Sequence, residues 1–184
     1  HTLDEIVHVY NPSTGWIQNC NSTAFTVSGS SSPKKESYPA YMAPDGENFR
    51  GINAARVLSE GSAFTIDKTI AAGYNKKLTA FEILIPPLVK LFEENISPDD
   101  SLYKVMNGAI QTLKKWDHNV SDTSVATTLA IEWAEKLSAT LRRIYIDEGW
   151  DDQVSLVKKF AATAIKEELI PPLFIVVNDL INKF

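Results

Sequence analysis

Four side chains in one short stretch of this 184-residue sequence have the chemistry of a binding or catalytic site. Residues 18–21 read Gln-Asn-Cys-Asn, and they follow the turn-forming sequence Asn-Pro-Ser-Thr-Gly at 11–15. A carboxamide NH₂ is a neutral hydrogen-bond donor that stabilises the oxyanion formed when a carbonyl carbon is attacked. The stretch is therefore a candidate oxyanion site, but the residues alone favour the simpler interpretation that follows. The alternative is a polar strand end whose side chains cap their own loop.

Other patterns that signal catalysis do not occur in the sequence. It contains no Gly-x-Ser-x-Gly, no His-Glu-x-x-His, no glycine-rich phosphate loop and no calcium-loop pattern. Of the three histidines, we predict that His8 packs on a strand and that His118 ends a helix. A Cys20 nucleophile with His8 as its base is an alternative that lacks a third, orienting group.

Composition excludes several classes of protein. The net charge of −5 and the pI of about 5.2 argue against a nucleic-acid surface. A single cysteine excludes an intrachain disulfide and a thiolate metal cluster. The longest apolar run, at 169–177, is too short to span a membrane and contains two prolines. Because the chain opens on His1 and stops after an apolar segment, we expect it to be a piece of a longer polypeptide.

The chain positions the amide stretch on a predicted β hairpin. Residues 3–10 are rich in β-branched and aromatic types, and residues 15–20 form a weaker strand candidate. Side chains alternate along a strand. The second strand should therefore have Ile17, Asn19 and Asn21 on one face and Trp16, Gln18 and Cys20 on the other. Residues 22–46 are predicted to be a long loop, of a length that is usually functional or disordered.

From about residue 48 the periodicity is helical. The predicted fold class is α+β, mainly α, with a small N-terminal β hairpin or strand pair followed by a bundle of about six helices. The predicted domains are 1–47, hairpin and active-site loop, and 48–184, the helical region. Pro86-Pro87 should kink or break one helix, and the pentapeptide Leu-Ile-Pro-Pro-Leu recurs at 169–173. The predicted helices cover about 48–60, 65–74, 79–94, 99–116, 121–149, 151–168 and 172–183.

Several motifs together resemble the β-chain of the penicillin acylase family. They are "NPSTGWIQNCNS", "YPAY", "ENFRGINAARVL", "TIDKTIAA" and "LKKWDHNVSDTSVATTLAIEWAEKL", in that order, and they cover at least residues 11–137. The family consists of N-terminal nucleophile hydrolases, in which a precursor is cut and the new β N-terminus, normally Ser, attacks the substrate. Its own α-amino group is the base. The resemblance implies hydrolysis of a linear amide through an acyl-enzyme.

The resemblance also implies site residues. Asn21 would be the oxyanion donor, and Arg50 in "NFRG" would support it and orient the site. Trp16 and Cys20 would belong to the wall of the substrate pocket. His1 is not Ser, Thr or Cys, so we expect the nucleophile to lie outside this chain. An alternative for Arg50 is a helix-start arginine paired with a nearby carboxylate, Glu47 or Asp45.

No cofactor or metal is predicted for this segment, because Met42 stands where some relatives have a calcium-binding Asp. Calcium is a possibility in the parent enzyme. The expected partners are the α-chain and the nucleophile-bearing part of the β-chain, with a small-molecule acyl amide as substrate. The isolated chain should be inactive and able to self-associate, and the parent should be periplasmic or extracellular. The alternative is a non-catalytic helical interaction module with acylase-like sequence.

Overall fold

The chain folds into helices joined by loops. The computed structural model describes residues 2–61, 63–148 and 152–183. Three-residue 3-10 helices lie at 3–5, 24–26, 29–31 and 35–37. The α-helices of the described residues are α1 (Phe49–Glu60), α2 (Ile66–Gly73), α3 (Phe81–Asn95), α4 (Ser101–Lys114), α5 (Val125–Glu148), α6 (Gln153–Thr163) and α7 (Lys166–Lys183). None of these helices is long and apolar enough to cross a membrane.

The predicted N-terminal β hairpin is wrong, and the fold class is a helical bundle rather than α+β. The turn is present, since the Gly15 N–H donates to the Pro12 carbonyl (3.0 Å), but its two arms do not pair. The Gln18 N–H donates to the Val27 carbonyl instead (2.8 Å), and Tyr10 is 91% exposed. A two-stranded hairpin is marginal unless one face is buried, and strand propensity alone does not supply that face.

The described residues form two compact units. The first, called the loop unit here, contains residues up to 75 together with 152–155, and it includes α1 and α2. The second, called the bundle, contains the remaining residues from 76 onward, with α3, α4, α5, α7 and most of α6. The predicted domain division at 47/48 stays a prediction.

The bundle has an apolar core. Helix α7 packs against α3, α4 and α5, and α4 also packs against α3 and α5. Trp133 is fully buried in this core, and its Nε1–H donates to the Leu169 carbonyl (3.1 Å). Leu88 of α3 and Leu173 of α7 are both 0% exposed, whereas Ile175 and Ile181 of α7 are 47% and 64% exposed. Self-association of the isolated chain stays a prediction.

Both Pro-Pro pairs lie inside continuous helices, so a break at either pair is wrong, and the kink predicted at Pro86-Pro87 as the other possibility stays a prediction. Pro86 and Pro87 lie within α3, and the second pair at 171–172 lies within α7. Proline removes hydrogen bonds to the preceding turn. Around each pair, however, the leucine and isoleucine side chains are buried, and their packing stabilises the helix. The helical conformation is interrupted before the second pair, between α6 and α7, where Glu168 Oε2 accepts from the Ile165 N–H (3.0 Å).

Most predicted helix starts are close to the observed ones. Thr65 and Asp100 cap α2 and α4 as expected. The capping box predicted at Thr79 is wrong, because α3 begins at Phe81 and Glu82 pairs with Lys77 (3.2 Å). Helix α5 begins at Val125 rather than near 121. The periodicity that predicted these helices is that of the buried faces, which explains the agreement.

Candidate active site

The side chains of one serine and one threonine hold the amide stretch in place within the loop unit. Ser28 is fully buried, and its Oγ–H donates to the Trp16 carbonyl (2.6 Å). Thr14 Oγ1 lies 2.6 Å from Ser28 Oγ. The Trp16 ring packs over Gly29, where an added Cβ would lie 3.2 Å from Trp16 Cζ2, and Gly29 has a φ of +54°. These contacts fold residues 14–29 into a closed loop without strand pairing.

Asn48 connects the end of this stretch to the start of α1. Its Nδ2 donates to the carbonyls of Cys20 (3.1 Å) and Asn21 (3.0 Å). Its Oδ1 accepts from the Gly51 N–H (2.9 Å), which caps the helix. One side chain therefore satisfies three backbone groups and fixes residues 20–21 against α1.

Arg50 and Asn21 lie together. Arg50 Nη2 is 3.4 Å from Asn21 Oδ1, and both residues are exposed. The Asn21 backbone is left-handed, with a φ of +54°, and its N–H donates to Asn19 Oδ1 (2.9 Å). Asparagine tolerates this conformation better than most residues. Because Oδ1 faces the guanidinium, Nδ2 remains as a donor, and none of the described residues accepts from it.

Gly51 allows the close approach of the loop to α1. A Cβ at this position would lie 2.5 Å from Ser22 Oγ and 2.8 Å from Glu47 Oε1. Real Cβ atoms essentially never lie within 3.0 Å of another heavy atom. The two oxygens could rotate away, but Ser22 Cβ would lie only 2.9 Å from the new atom, so residue 22 itself would have to shift. Gly51 is buried, and because it has no side chain, Ser22 can lie against the first turn of the helix.

A concavity of about 430 Å³ lies beside Asn21. Its lining comes from residues 17–22 other than Cys20, and from Ala24, Val27, Ala43 and Asp45. This volume is within the range of small-molecule sites. Residues predicted to lie on opposite strand faces, Ile17 and Gln18, both line it, because no strand forms there.

The predicted site residues occupy different places. The structure brings Asn21 and Arg50 together, whereas Trp16 packs on Gly29 and does not line the concavity. Cys20 is half-buried and contributes its carbonyl to Asn48. The predicted packing of His8 on a strand is wrong, since His8 is exposed and its Nδ1 lies 2.8 Å from the Ile6 carbonyl.

Sequence reasoning missed Asn48 and Gly51 as residues that shape the site, and it included Gln18 only as a member of the amide stretch. Asn48 had a readable signal, because an asparagine just before an apolar-periodic segment is a preferred N-cap. Gly51 had a weaker one, a glycine inside a predicted helix, which often marks close packing. Gln18 had none beyond its place in the amide stretch.

A second polar cluster lies in the bundle, at residues 116–119. The Trp116 Nε1–H donates to the Asn119 carbonyl (3.0 Å), and the His118 carbonyl accepts from the Leu78 N–H (2.8 Å). Hydrogen bonds from the side chain and backbone of Asn119 lower the pKa of Asp117. Burial lowers the pKa of His118, and the nearby Lys77 lowers it further. This cluster joins two loops and has the character of a structural connection.

Metal ligation finds no support in the described ranges. Among these residues, no group of three or more His, Cys, Asp or Glu side chains lies close enough together to hold a metal ion.

Comparison with known families identifies the chain. The sequence model of the penicillin amidase family matches residues 1–178, nearly the whole length. The chain therefore belongs to the penicillin amidase family. The resemblance predicted from the motifs at 11–137 is confirmed, and family membership supports an acylase-like amide hydrolase.

Proposed function

We propose that this chain forms part of the active-site wall of an amide hydrolase and that Asn21 Nδ2 donates to the oxyanion. The observation that carries the proposal is the contact between Arg50 Nη2 and Asn21 Oδ1 (3.4 Å). A guanidinium has donors only, so it orients the amide with its oxygen inward and its NH₂ available. A fixed NH₂ donor stabilises developing negative charge without reorganisation.

The backbone around Asn21 supports the same role. Asn48 holds the Cys20 and Asn21 carbonyls, and the Asn21 N–H is bound by Asn19. The amide is thus positioned by its own main chain as well as by Arg50. Cys20 and Trp16 are proposed to act on the substrate pocket indirectly, by shaping the loop.

The nucleophile and its base are proposed to come from another part of the parent enzyme, namely the N-terminal Ser of the β-chain and its amino group. The α-chain and that part of the β-chain are the proposed partners, with a small-molecule acyl amide as substrate. Several apolar side chains of the loop unit remain available for them, since Leu3 and Ile66 are 82% and 80% exposed. We propose that the parent is exported to the periplasm or cell exterior.

The decisive experiment is Asn21→Ala in the assembled enzyme. Loss of an oxyanion donor should lower kcat by roughly 10²–10³. The melting temperature should fall only slightly, because alanine is less favourable than asparagine in the left-handed backbone of residue 21. Asn95→Ala is the matched control, because Asn95 is an exposed asparagine whose Nδ2 only donates to the Leu91 carbonyl of α3. Normal kcat in Asn21→Ala would remove the proposal.

The isolated chain gives a second test. Residues 1–184 alone should hydrolyse no amide above background, because the proposed nucleophile is elsewhere. Turnover that is abolished by alkylating Cys20 would favour the thiol-hydrolase alternative. An assembled enzyme that is fully active without this chain would favour the helical interaction module.

A further inference from the structure

The side-chain amide of Asn19 has its oxygen bound by the protein and its NH₂ group without a protein partner. Asn19 Oδ1 accepts from the Asn21 N–H (2.9 Å). An amide NH₂ cannot accept a hydrogen bond, so the oxygen is the end that faces this N–H, and the orientation of the amide is fixed. None of the described residues accepts from Asn19 Nδ2, and the residue is exposed. The NH₂ group is therefore available to a bound molecule.

This NH₂ group lies close to Asn21. The oxygen and nitrogen of one carboxamide are bonded to the same carbon, so Asn19 Nδ2 lies within a few ångströms of the atom that Oδ1 contacts, the Asn21 backbone nitrogen. Asn21 Oδ1 is in turn held by Arg50 Nη2, which leaves the Asn21 NH₂ as a donor. Two neighbouring amides thus have their oxygens bound by protein groups, and neither NH₂ group has an acceptor among the described residues.

The concavity beside these amides has few other side-chain donors that a ligand could reach. Asn19 and Asn21 both line it. Gln18 and Ser22 also belong to its lining, but they are only 7% and 9% exposed. Asp45, the remaining polar residue of the described lining, has no donor on its ionised side chain. The exposed amides of Asn19 and Asn21 are therefore the donors that a substrate would meet.

We propose that Asn19 determines substrate specificity, by donating a hydrogen bond from Nδ2 to a second oxygen of the amide substrate. This rests on the proposed function, in which Asn21 Nδ2 donates to the oxygen of the scissile carbonyl. The substrate class is an acyl amide that carries an ether or carbonyl oxygen in addition to the scissile bond. Because the two amides are neighbours, this oxygen lies within a few bonds of the scissile bond, on the acyl part or on the amine part.

The test uses two pairs of substrates in the assembled enzyme, and in each pair an ether oxygen replaces a methylene group. The amine-side pair is N-octanoyl 2-methoxyethylamine and N-octanoyl butylamine. The acyl-side pair is the p-nitroanilide of 3-butoxypropanoic acid and that of octanoic acid. The measured quantity is the ether ratio, kcat/KM of the ether divided by kcat/KM of the hydrocarbon. Comparing this ratio between enzyme variants cancels the intrinsic differences between the two substrates.

Asn19→Asp should lower the ether ratio of one pair by roughly three- to tenfold, the factor expected for one net hydrogen bond. Aspartate keeps an oxygen for the Asn21 N–H but has no NH₂ group, so it separates substrate binding from positioning of Asn21. If Asn19 only positioned Asn21, Asn19→Asp would leave both ether ratios unchanged, and that outcome would overturn the proposal.

Asn95→Asp is the matched control, because Asn95 is an exposed asparagine whose Nδ2 donates to the Leu91 carbonyl of its own helix. It adds the same charge and should leave both ether ratios unchanged. An equal fall in Asn95→Asp would assign the effect to charge alone and would also contradict the proposal.

Asn19→Ala provides a second variant, which adds no charge. It removes both ends of the amide, so kcat should fall for every substrate, and the ether ratio should fall as in Asn19→Asp. An unchanged ratio in Asn19→Ala would count against the proposal, even if Asn19→Asp is recovered without activity. The ether ratio is independent of the kcat loss in Asn21→Ala, so failure of the oxyanion role and failure of the specificity role are distinguishable.

Discussion

Buried side chains in the bundle are mainly apolar, whereas those at residues 2–75 are Gln18, Ser22 and Ser28. The bundle is stabilised by the removal of apolar surface from water. The loop unit is stabilised by a network of hydrogen bonds in which Asn48 and Ser28 each serve several partners. The same chain therefore contains one region selected for packing and one whose buried groups are polar.

This difference indicates which of the two regions fixes the positions of its side chains more strictly. Apolar packing tolerates substitutions of similar volume, but a polar network fails when one member is lost. In the loop unit, polar groups converge on Asn21. The bundle should therefore tolerate substitutions that conserve side-chain volume, whereas loss of one member of the loop unit's hydrogen-bond network should displace Asn21.

Trp133→Ala should have the largest effect, and it concerns the bundle. The change empties a fully buried site and leaves the Leu169 carbonyl without its donor. The free energy of unfolding should fall by about 3–5 kcal/mol, measured by chemical denaturation. Trp133→Phe keeps most of the volume and should lose less than half of that amount. Equal losses in both variants would show that the hydrogen bond, not packing, dominates this core.

Gly51→Ala should affect the loop unit and spare the bundle. Because the new Cβ would lie 2.9 Å from Ser22 Cβ, which can move only with its backbone, residue 22 beside Asn21 must shift. A displacement of about 1 Å can cost roughly 10²-fold in rate, which kcat in the assembled enzyme would report.

Gly108→Ala is the control for that substitution. Gly108 also lies in a helix, α4, but a Cβ there would have nothing within 4 Å. Alanine should therefore raise stability by roughly 0.5–1 kcal/mol without changing kcat. Similar behaviour of the two variants would contradict the assignment of Gly51 to close packing beside the site.

The N-cap residues of α4 and α1 allow the same comparison of bundle and loop unit, with smaller expected effects. Asp100 accepts only local bonds at the start of α4, including one from the Leu102 N–H (2.8 Å), so Asp100→Ala should cost about 1 kcal/mol and leave kcat unchanged. Asn48→Ala removes a cap and also frees the Cys20 and Asn21 carbonyls. It should lower kcat as well as the melting temperature. An unchanged kcat would show that Asn48 does not position Asn21.

The sequence predicted the bundle better than the loop unit for a physical reason. Leu129, Trp133 and Leu137 repeat every four residues, and all three are buried in α5. This signal is local, because a helix satisfies its own backbone. A hairpin depends on a partner strand and a buried face, so the strand-like composition of residues 3–10 was not sufficient.

The candidate site was predictable only in part. The family motifs pointed to Asn21 and Arg50, and the structure brings their side chains to 3.4 Å, although their catalytic roles stay predictions. Nothing in the sequence indicated that the Asn48 side chain would bind backbone carbonyls 27 and 28 positions away. Such contacts depend on loop geometry, and so does the unsatisfied oxygen of Gln18.

The smallest expected effect is a pH dependence confined to the bundle. Burial lowers the pKa of His118 in the folded chain, so the unfolded chain binds a proton first as pH falls below about 6.5. The stability contributed by neutral His118 is therefore present above that pH and is lost progressively down to the lowered folded-state pKa.

His118→Asn isolates this effect, because asparagine keeps the left-handed backbone of residue 118 (φ +61°) and does not titrate. The melting temperature of the parent chain should fall more between pH 7 and pH 5 than that of His118→Asn. The lowered pKa of Asp117 does not interfere, since its stabilising contribution is lost only below its usual value of 3.8. Because His118 contacts Leu78 and Trp116, and Asn21 is held by Asn19, Asn48 and Arg50, kcat at pH 7 should be the same in both proteins. Parallel melting curves would show that His118 is solvated equally in both states.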